Sequence, residues 1–364
     1  MPGVGPAIET SLTGSLSEEG SKLMMRLSRL GLAAVLAATL TVPAAHAAQP
    51  DKAQPAKAKA AEPDKLLPAD ADTIVYVNFK QIVGADVIKK YALDQIKQAL
   101  SGQDAKKLLE EMGLDPMKDI EKVWAGMSGT GRDDTKALVI VHGKFDPDKL
   151  EKAATAVSKK DGDKFSVVKD GAVTMFKYQP GDGNPIYAAV ANETTIVAAT
   201  DKKLIATALE QAKGDKKAPI KAELTTLIKT LKDDVSLFAV SLVKGKLDGV
   251  AGNLPDKPID LTGFGKALPK TDTLTIVARV TADINLEVIF GMKDEDAAED
   301  MDAALAKLVT DLSGFVPILV ALDPKAKPLA DIVKTLKSKA EKKNVTLTGK
   351  VTGDIIGDAI APKN

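Results

Sequence analysis

The side chains able to do chemistry are few. The chain of 364 residues has two histidines, His46 and His142, and no cysteine. Thiolate nucleophiles, disulfides and cysteine-ligated metals are therefore excluded. His46 falls in a segment expected to be removed, which leaves His142. One imidazole suffices for a Ser-His-Asp relay but not for a zinc site built from several histidines. His142 lies in an apolar stretch, 136–145 (KALVIVHGKF), and alternates with Leu138 and Ile140. It shares their face of a predicted strand. A general base or a lone metal ligand is one reading. A strand residue that is hydrogen-bonded or half exposed is the other, and the one adopted.

The carboxylates Asp294, Glu295, Asp296, Glu299, Asp300 and Asp302 would suit a divalent cation. They lack a Gly-centred loop with alternating ligands, and acids in a first helical turn are favoured by the helix dipole, so they read as a helix start. The stretch 126–134 (GMSGTGRDD), with Gly126, Gly129, Gly131 and Arg132, would suit a phosphate if a helix began directly after it. A strand follows instead, so the stretch reads as a hairpin connection. There is no G-x-S-x-G elbow. Residues 181–184 (GDGN) read as a turn, and the sequons at Asn192 and Asn344 carry no weight in a bacterial chain. Trp124 is the sole Trp and aromatics make up 4% of the chain, too few for a nucleic-acid or sugar stacking platform. No catalytic, cofactor-binding or metal-binding residue is assigned, and no cofactor is expected.

Composition is that of an ordinary globular chain, 45% hydrophobic and 27% charged. Lys+Arg and Asp+Glu are both 50. Residues 1–47 hold three of each sign (Lys22, Arg26, Arg29; Glu9, Glu18, Glu19), so the remainder stays balanced at 47 each. No overall field favours nucleic acid or an anionic membrane. Residues 24–47 have the layout of a secretory signal peptide: a basic start with Arg26 and Arg29, an apolar run from Leu30, then Ala45-His46-Ala47. Cleavage is expected after Ala47, and the protein is expected in the periplasm or outside the cell. The run is too short for a membrane anchor. Residues 1–23 are polar and precede the basic start, which fits a start codon assigned too early. Glu18-Glu19-Gly20 agrees, because its codons spell a purine-rich ribosome-binding sequence. Residues 48–65 (AQPDKAQPAKAKAAEPDK) read as a disordered linker.

The elements that must position any site come next. Strands are predicted at 73–79 (TIVYVNF), 136–145, 165–168, 172–178, 186–191, 195–199, 235–243, 273–280, 285–292 and 345–351. Helical spacing marks 86–112 (interrupted near Ser101-Gly102), 147–157, 201–213, 221–231, 294–309 and 328–342. Asp146-Pro147 places an N-cap before a proline that tolerates the first helical position, and Asp115-Pro116-Met117 opens a short helix before Val123-Trp124. The apolar stretch 312–322 (LSGFVPILVAL) is expected in the core rather than in a membrane. Hairpin-joined strands with helices between them predict an α+β fold with a largely antiparallel sheet. Two pseudo-repeated halves are expected, 66–215 and 216–364. The best internal match lays 138–148 (LVIVHGKFDPD) over 286–296 (LEVIFGMKDED), with His142 on Phe290.

Leu67-Pro68-Ala69-Asp70 ahead of TIVYVNF, Gly113-Leu114-Asp115-Pro116, Asp119-Ile120 and the His142-Gly143-Lys144-Phe145-Asp146 turn resemble a group of secreted proteins of unknown function common in planctomycete bacteria. The resemblance covers most of 66–215 and fades afterwards. It implies an exported α+β protein and carries no activity, cofactor or site.

Three functional readings follow. The first is a non-enzymatic exported protein that binds a partner or an envelope component, with no nucleic acid and no membrane anchor after cleavage. The second is a carrier of an apolar small molecule, which needs an apolar pocket of ligand size. The third is a carboxylate-dependent hydrolase, which needs two acids facing each other across a cleft.

Overall fold

The structure is a computed structural model. It describes residues 61–360, apart from 101–108, 111–112, 130–133, 161, 163, 171–172, 180–183, 215–219, 233, 253 and 255–257. The expected start extension, signal peptide and first part of the linker lie outside the described residues.

The fold is α+β with one large antiparallel sheet. Twelve strands run in the order β11-β12-β10-β9-β8-β1-β2-β3-β7-β6-β5-β4. They are β1 (Thr73–Val77), β2 (Ile120–Ser128), β3 (Lys136–Gly143), β4 (Phe165–Asp170), β5 (Val173–Tyr178), β6 (Ile186–Asn192), β7 (Thr195–Ala199), β8 (Leu237–Leu242), β9 (Thr271–Val280), β10 (Ile284–Met292), β11 (Lys337–Glu341) and β12 (Asn344–Val351). β1 pairs with β2 on one side and β8 on the other, so the sheet runs without a break across the expected boundary at 215/216.

Local signals account for most elements. Asp115 accepts from the Met117 N–H, and the short helix Pro116–Asp119 starts there with its proline at the tolerated position. Asp201 caps Lys202–Lys213 in the same way, and Asp294 caps Glu295–Leu322. The Gly-rich connection joins β2 to β3 as a hairpin. Gly129 takes φ +107° there, and a Cβ would lie 2.6 Å from the Asp134 carbonyl oxygen, so only glycine fits.

Three expectations are corrected. The helix predicted over 328–342 stops at Val333, and residues 337–341 (KSKAE) form edge strand β11 on β12. Backbone pairing overrides a sequence with no strand signature, and the lysines suit a sheet edge because they deter further pairing. The helix predicted to end near 309 continues to Leu322 through Pro317. Pro317 removes one hydrogen bond, and its fixed φ is compatible with the helix. The stretch 312–322, expected in the core, buries Val316 but leaves Ile318 57% and Leu322 80% exposed.

Two cores lie on opposite faces of the sheet. The first contains Ile74, Trp124, Leu138, Ile140, Met175, Val197, Phe238 and Val240. Over it lie the helices Lys202–Lys213, with Ile205 and Leu209, and Ala222–Thr230, with Leu224 and Ile228. Leu66, Leu67 and Ala71 also pack into this core, and Tyr76, Trp124 and Phe238 meet ring to ring at 4.6–5.6 Å. The second core packs Ala297, Ala298, Met301 and Leu305 of Glu295–Leu322, with Ala267 and Leu268, onto Phe290, Met292 and Val345. On β9 the first core takes Val277 and the second takes Leu274. An odd spacing along a strand puts them on opposite faces.

This parity also corrects the internal match. Laying 138–148 over 286–296 puts Leu138, which faces the first core, on Leu286, which pairs with Ala278 on the other face. The alignment is one residue out of phase with the pleat. Beyond the β1–β8 pair lie six strands on the β1 side and four on the β8 side.

Candidate functional site

His142 sits on the first face with Leu138 and Ile140, and it is not isolated. Its Nε2 lies 2.5 Å from Asp64 Oδ2, and its Nδ1 lies 3.3 Å from Thr195 Oγ1. Asp64 Oδ1 also accepts from the Leu66 N–H at 2.9 Å. Burial pushes the Asp64 carboxyl up. The His142 hydrogen bond, the Leu66 N–H and the charges of His142 and Lys122 outweigh burial and hold it below the usual carboxylate range. Asp64 belongs to the stretch expected to be linker. Residues 61–65 instead lie on the body, with the Ala61 N–H donating to the Leu231 carbonyl at 3.0 Å.

Thr195, His142 and Asp64 stand in the order of a nucleophile, base and carboxylate relay. Thr195 is 5% exposed, so its hydroxyl does not open onto a space where a substrate carbonyl would sit. His142 thus bridges the Asp64 carboxylate through Nε2 and the Thr195 hydroxyl through Nδ1. The arrangement satisfies the buried Thr195 and the half-buried His142 and Asp64, and pins the 61–71 segment across the first face. The same segment lays Pro68 and Leu67 over Gly126, where a Cβ would come within 2.5 Å of Pro68.

The other candidates resolve structurally. Asp294 accepts from the Ala297 N–H, which is the first cause of its lowered pKa, and Asp300 pairs with Lys270 at 2.6 Å. Among the described residues no group of three His, Asp or Glu side chains could hold a metal. Trp124 is buried in the ring cluster. Arg132 and the 181–183 part of the expected GDGN turn lie outside the described residues.

The feature that the motif search missed is on the second face. Cross-strand register aligns Leu347, Val288, Ile276, Ala239, Val75, Ala125, Val139, Ala198, Ala188, Phe176 and Val167 in one row from β12 to β4. The adjacent row runs Leu286, Ala278, Leu237, Val77, Val123, Val141, Ile196 and Val190. Every residue in both rows is apolar, and all but Ala278 are only half-buried. From β9 to β5 the first row covers about 34 Å at the usual strand spacing. An antiparallel sheet with one open face normally alternates apolar and polar residues, whereas strands apolar on both faces belong to sheets covered on both sides. Here the central strands carry the two-sided pattern, and one side is only half-buried. The signal in the sequence was the unbroken apolar runs TIVYV, ALVIV and TIVAA.

An open depression of about 350 Å³ lies off this surface, between Ala251, Leu254, Leu261 and Lys266. No known family profile matches the sequence, and no curated protein matches it. Two solved structures of TP0453 are similar in outline. Crystal form IV superposes with a TM-score of 0.42 at 8% identity, over 82% of this chain and 96% of that one. Crystal form I gives 0.43 at 7% identity, over 82% and 97%. At these values the likeness carries no argument.

Proposed function

We propose that this is an exported, non-enzymatic binding protein whose working surface is the second face of the central strands. The observation that carries the reading is the pair of registered apolar rows, which have the composition of a covered sheet face and remain half-buried. Completing the burial of such a surface is favourable by about 25 cal/mol per Å² of the apolar area still open to water. Export to the periplasm or beyond, with cleavage after Ala47, completes the proposal. The basic, apolar and A-x-A pattern of 24–47 supports it, as does the resemblance to secreted planctomycete proteins.

The carrier reading draws on the same rows, with an apolar small molecule in place of a polypeptide. The hydrolase reading draws less support. A glycosidase-type acid needs a raised pKa. Asp64, Asp72, Asp115, Asp146, Asp260, Asp283, Asp294 and Asp331 are all shifted down instead.

The test places a benzophenone amino acid at Val139 and, as a control, at Lys136 in the native host. Irradiation is followed by intact mass measurement. An adduct with a polypeptide at Val139 but not at Lys136 supports the proposal, and a lipid-sized adduct moves it to the carrier reading. No adduct at Val139, or equal adducts at both positions, overturns both readings. The unirradiated mass reads the N-terminus, and a mass beginning at Met1 removes the export claim.

A further inference from the structure

Glu295–Leu322 is the longest helix described, at 28 residues. It extends about 42 Å, whereas the nine-residue strand β10 beneath it covers about 30 Å. Its first half is fixed in the second core through Ala297, Ala298, Met301 and Leu305. Its second half buries only Val316. From Leu312 to Leu322 there is no charged side chain. The one hydroxyl there, Ser313 Oγ, already donates to the Val309 carbonyl at 2.7 Å. Ile318 and Leu322 stand one turn apart and are 57% and 80% exposed. Leu329, on the helix Lys327–Val333 that follows, is 47% exposed.

We infer that this overhang lies in the interface of a phospholipid bilayer, with Ile318, Leu322 and Leu329 in the acyl region. Three observations favour lipid over a protein partner. First, helical backbone together with a self-satisfied hydroxyl leaves few polar groups to pair, which is the condition for entering hydrocarbon. Second, the exposed set lacks the Trp, Tyr and Arg anchors that concentrate binding energy in protein interfaces. Third, Lys327 beside the apolar set is exposed and can meet a phosphate headgroup, although the exposed Asp323 follows Leu322 and Lys334 is paired with Asp331 at 2.8 Å. The helix does not span. By length and composition alone the helix could cross a bilayer, but its first half is held in protein through Ala297, Ala298, Met301 and Leu305, and only the uncharged stretch of about 16 Å is free to meet lipid. The contact is therefore in-plane and reversible. It is independent of the sheet face and stands if the reading of that face fails.

The chain has no cysteine, so Leu322→Cys carries a single environment-sensitive NBD label, and Lys337→Cys, whose side chain alternates with the core-facing Ala340 and so lies on the sheet face away from this helix, serves as control. The full-length chain is titrated with phosphatidylcholine vesicles containing phosphatidylglycerol. The expected result is a blue shift at position 322, quenched by nitroxide lipids, with no change at 337. Adding Ile318→Asn should weaken the apparent vesicle affinity read at 322 about tenfold. This site is highly exposed, so folding is unaffected, and circular dichroism checks that. An unshifted label at 322 would overturn the inference, as would equal shifts at both positions. So would a shift that tracks protein concentration without vesicles, because that outcome assigns the overhang to self-association.

Discussion

Removing the carboxylate of Asp64 should detach the 61–71 segment from the sheet. Asp64 is 9% exposed and accepts from two donors, His142 Nε2–H and the Leu66 N–H. Asp64→Ala leaves both donors facing a hole, and an unsatisfied buried donor costs about 1–3 kcal/mol. The expected loss is therefore roughly 3 kcal/mol at neutral pH, read from the urea midpoint at unchanged slope. Asp64→Asn keeps an acceptor of the same shape and should lose about 1 kcal/mol. The two variants separate charge from geometry, and pH completes the test. The folded carboxyl sits below its ordinary value, so the unfolded chain takes up protons first as pH falls. The stabilisation is complete above about pH 5 and drains away as pH drops through the unfolded value near 3.9 towards the folded one. The gap between the wild type and Asp64→Asn should be constant above about pH 5 and close below it. A loss under about 0.5 kcal/mol for Asp64→Ala, or a gap that stays constant into acid, would refute the account of His142 and Asp64 as a buried pin.

Neighbouring residues on β3 should differ sharply. Ile140→Thr places a hydroxyl in the first core, where Ile140 is fully buried, and should cost about 2–4 kcal/mol by denaturation. Val139→Thr on the half-buried second face should cost under about 1 kcal/mol. Gly129→Ala forces a side chain against the Asp134 carbonyl at positive φ and should lower stability by about 1–3 kcal/mol. Calorimetry would show this as a reduced melting temperature. Replacing Lys337 and Lys339 of edge strand β11 by Val removes the charges that deter edge pairing. Light scattering should then record concentration-dependent association that the wild type lacks.

His142 illustrates the limit of motif reading. Its place on a strand and its face were legible from its alternation with Leu138 and Ile140. Its partners were not, because Asp64 lies 78 residues earlier in a stretch whose composition reads as linker. The helix starts at Asp115, Asp201 and Asp294 were legible because a cap is a contact across two or three residues. Strands β3 to β7 fell near their predicted positions for the same reason, since apolar runs and turn residues act over short distances.

The sequence by itself determined that the chain is α+β, that it has no cysteine chemistry, and where most strands and helix starts fall. These depend on residue type and on periods of two and 3.6, which are local. Tertiary structure decided that β1 joins β2 to β8, so that one sheet carries both halves. It also decided that 337–341 is a strand, that 312–322 leaves the core, and that the central strands bury one apolar face and not the other. Each of these depends on which segment comes to lie over which, a contact between residues far apart in the chain. Period alone gives a side chain its face, and only packing decides whether that face is covered.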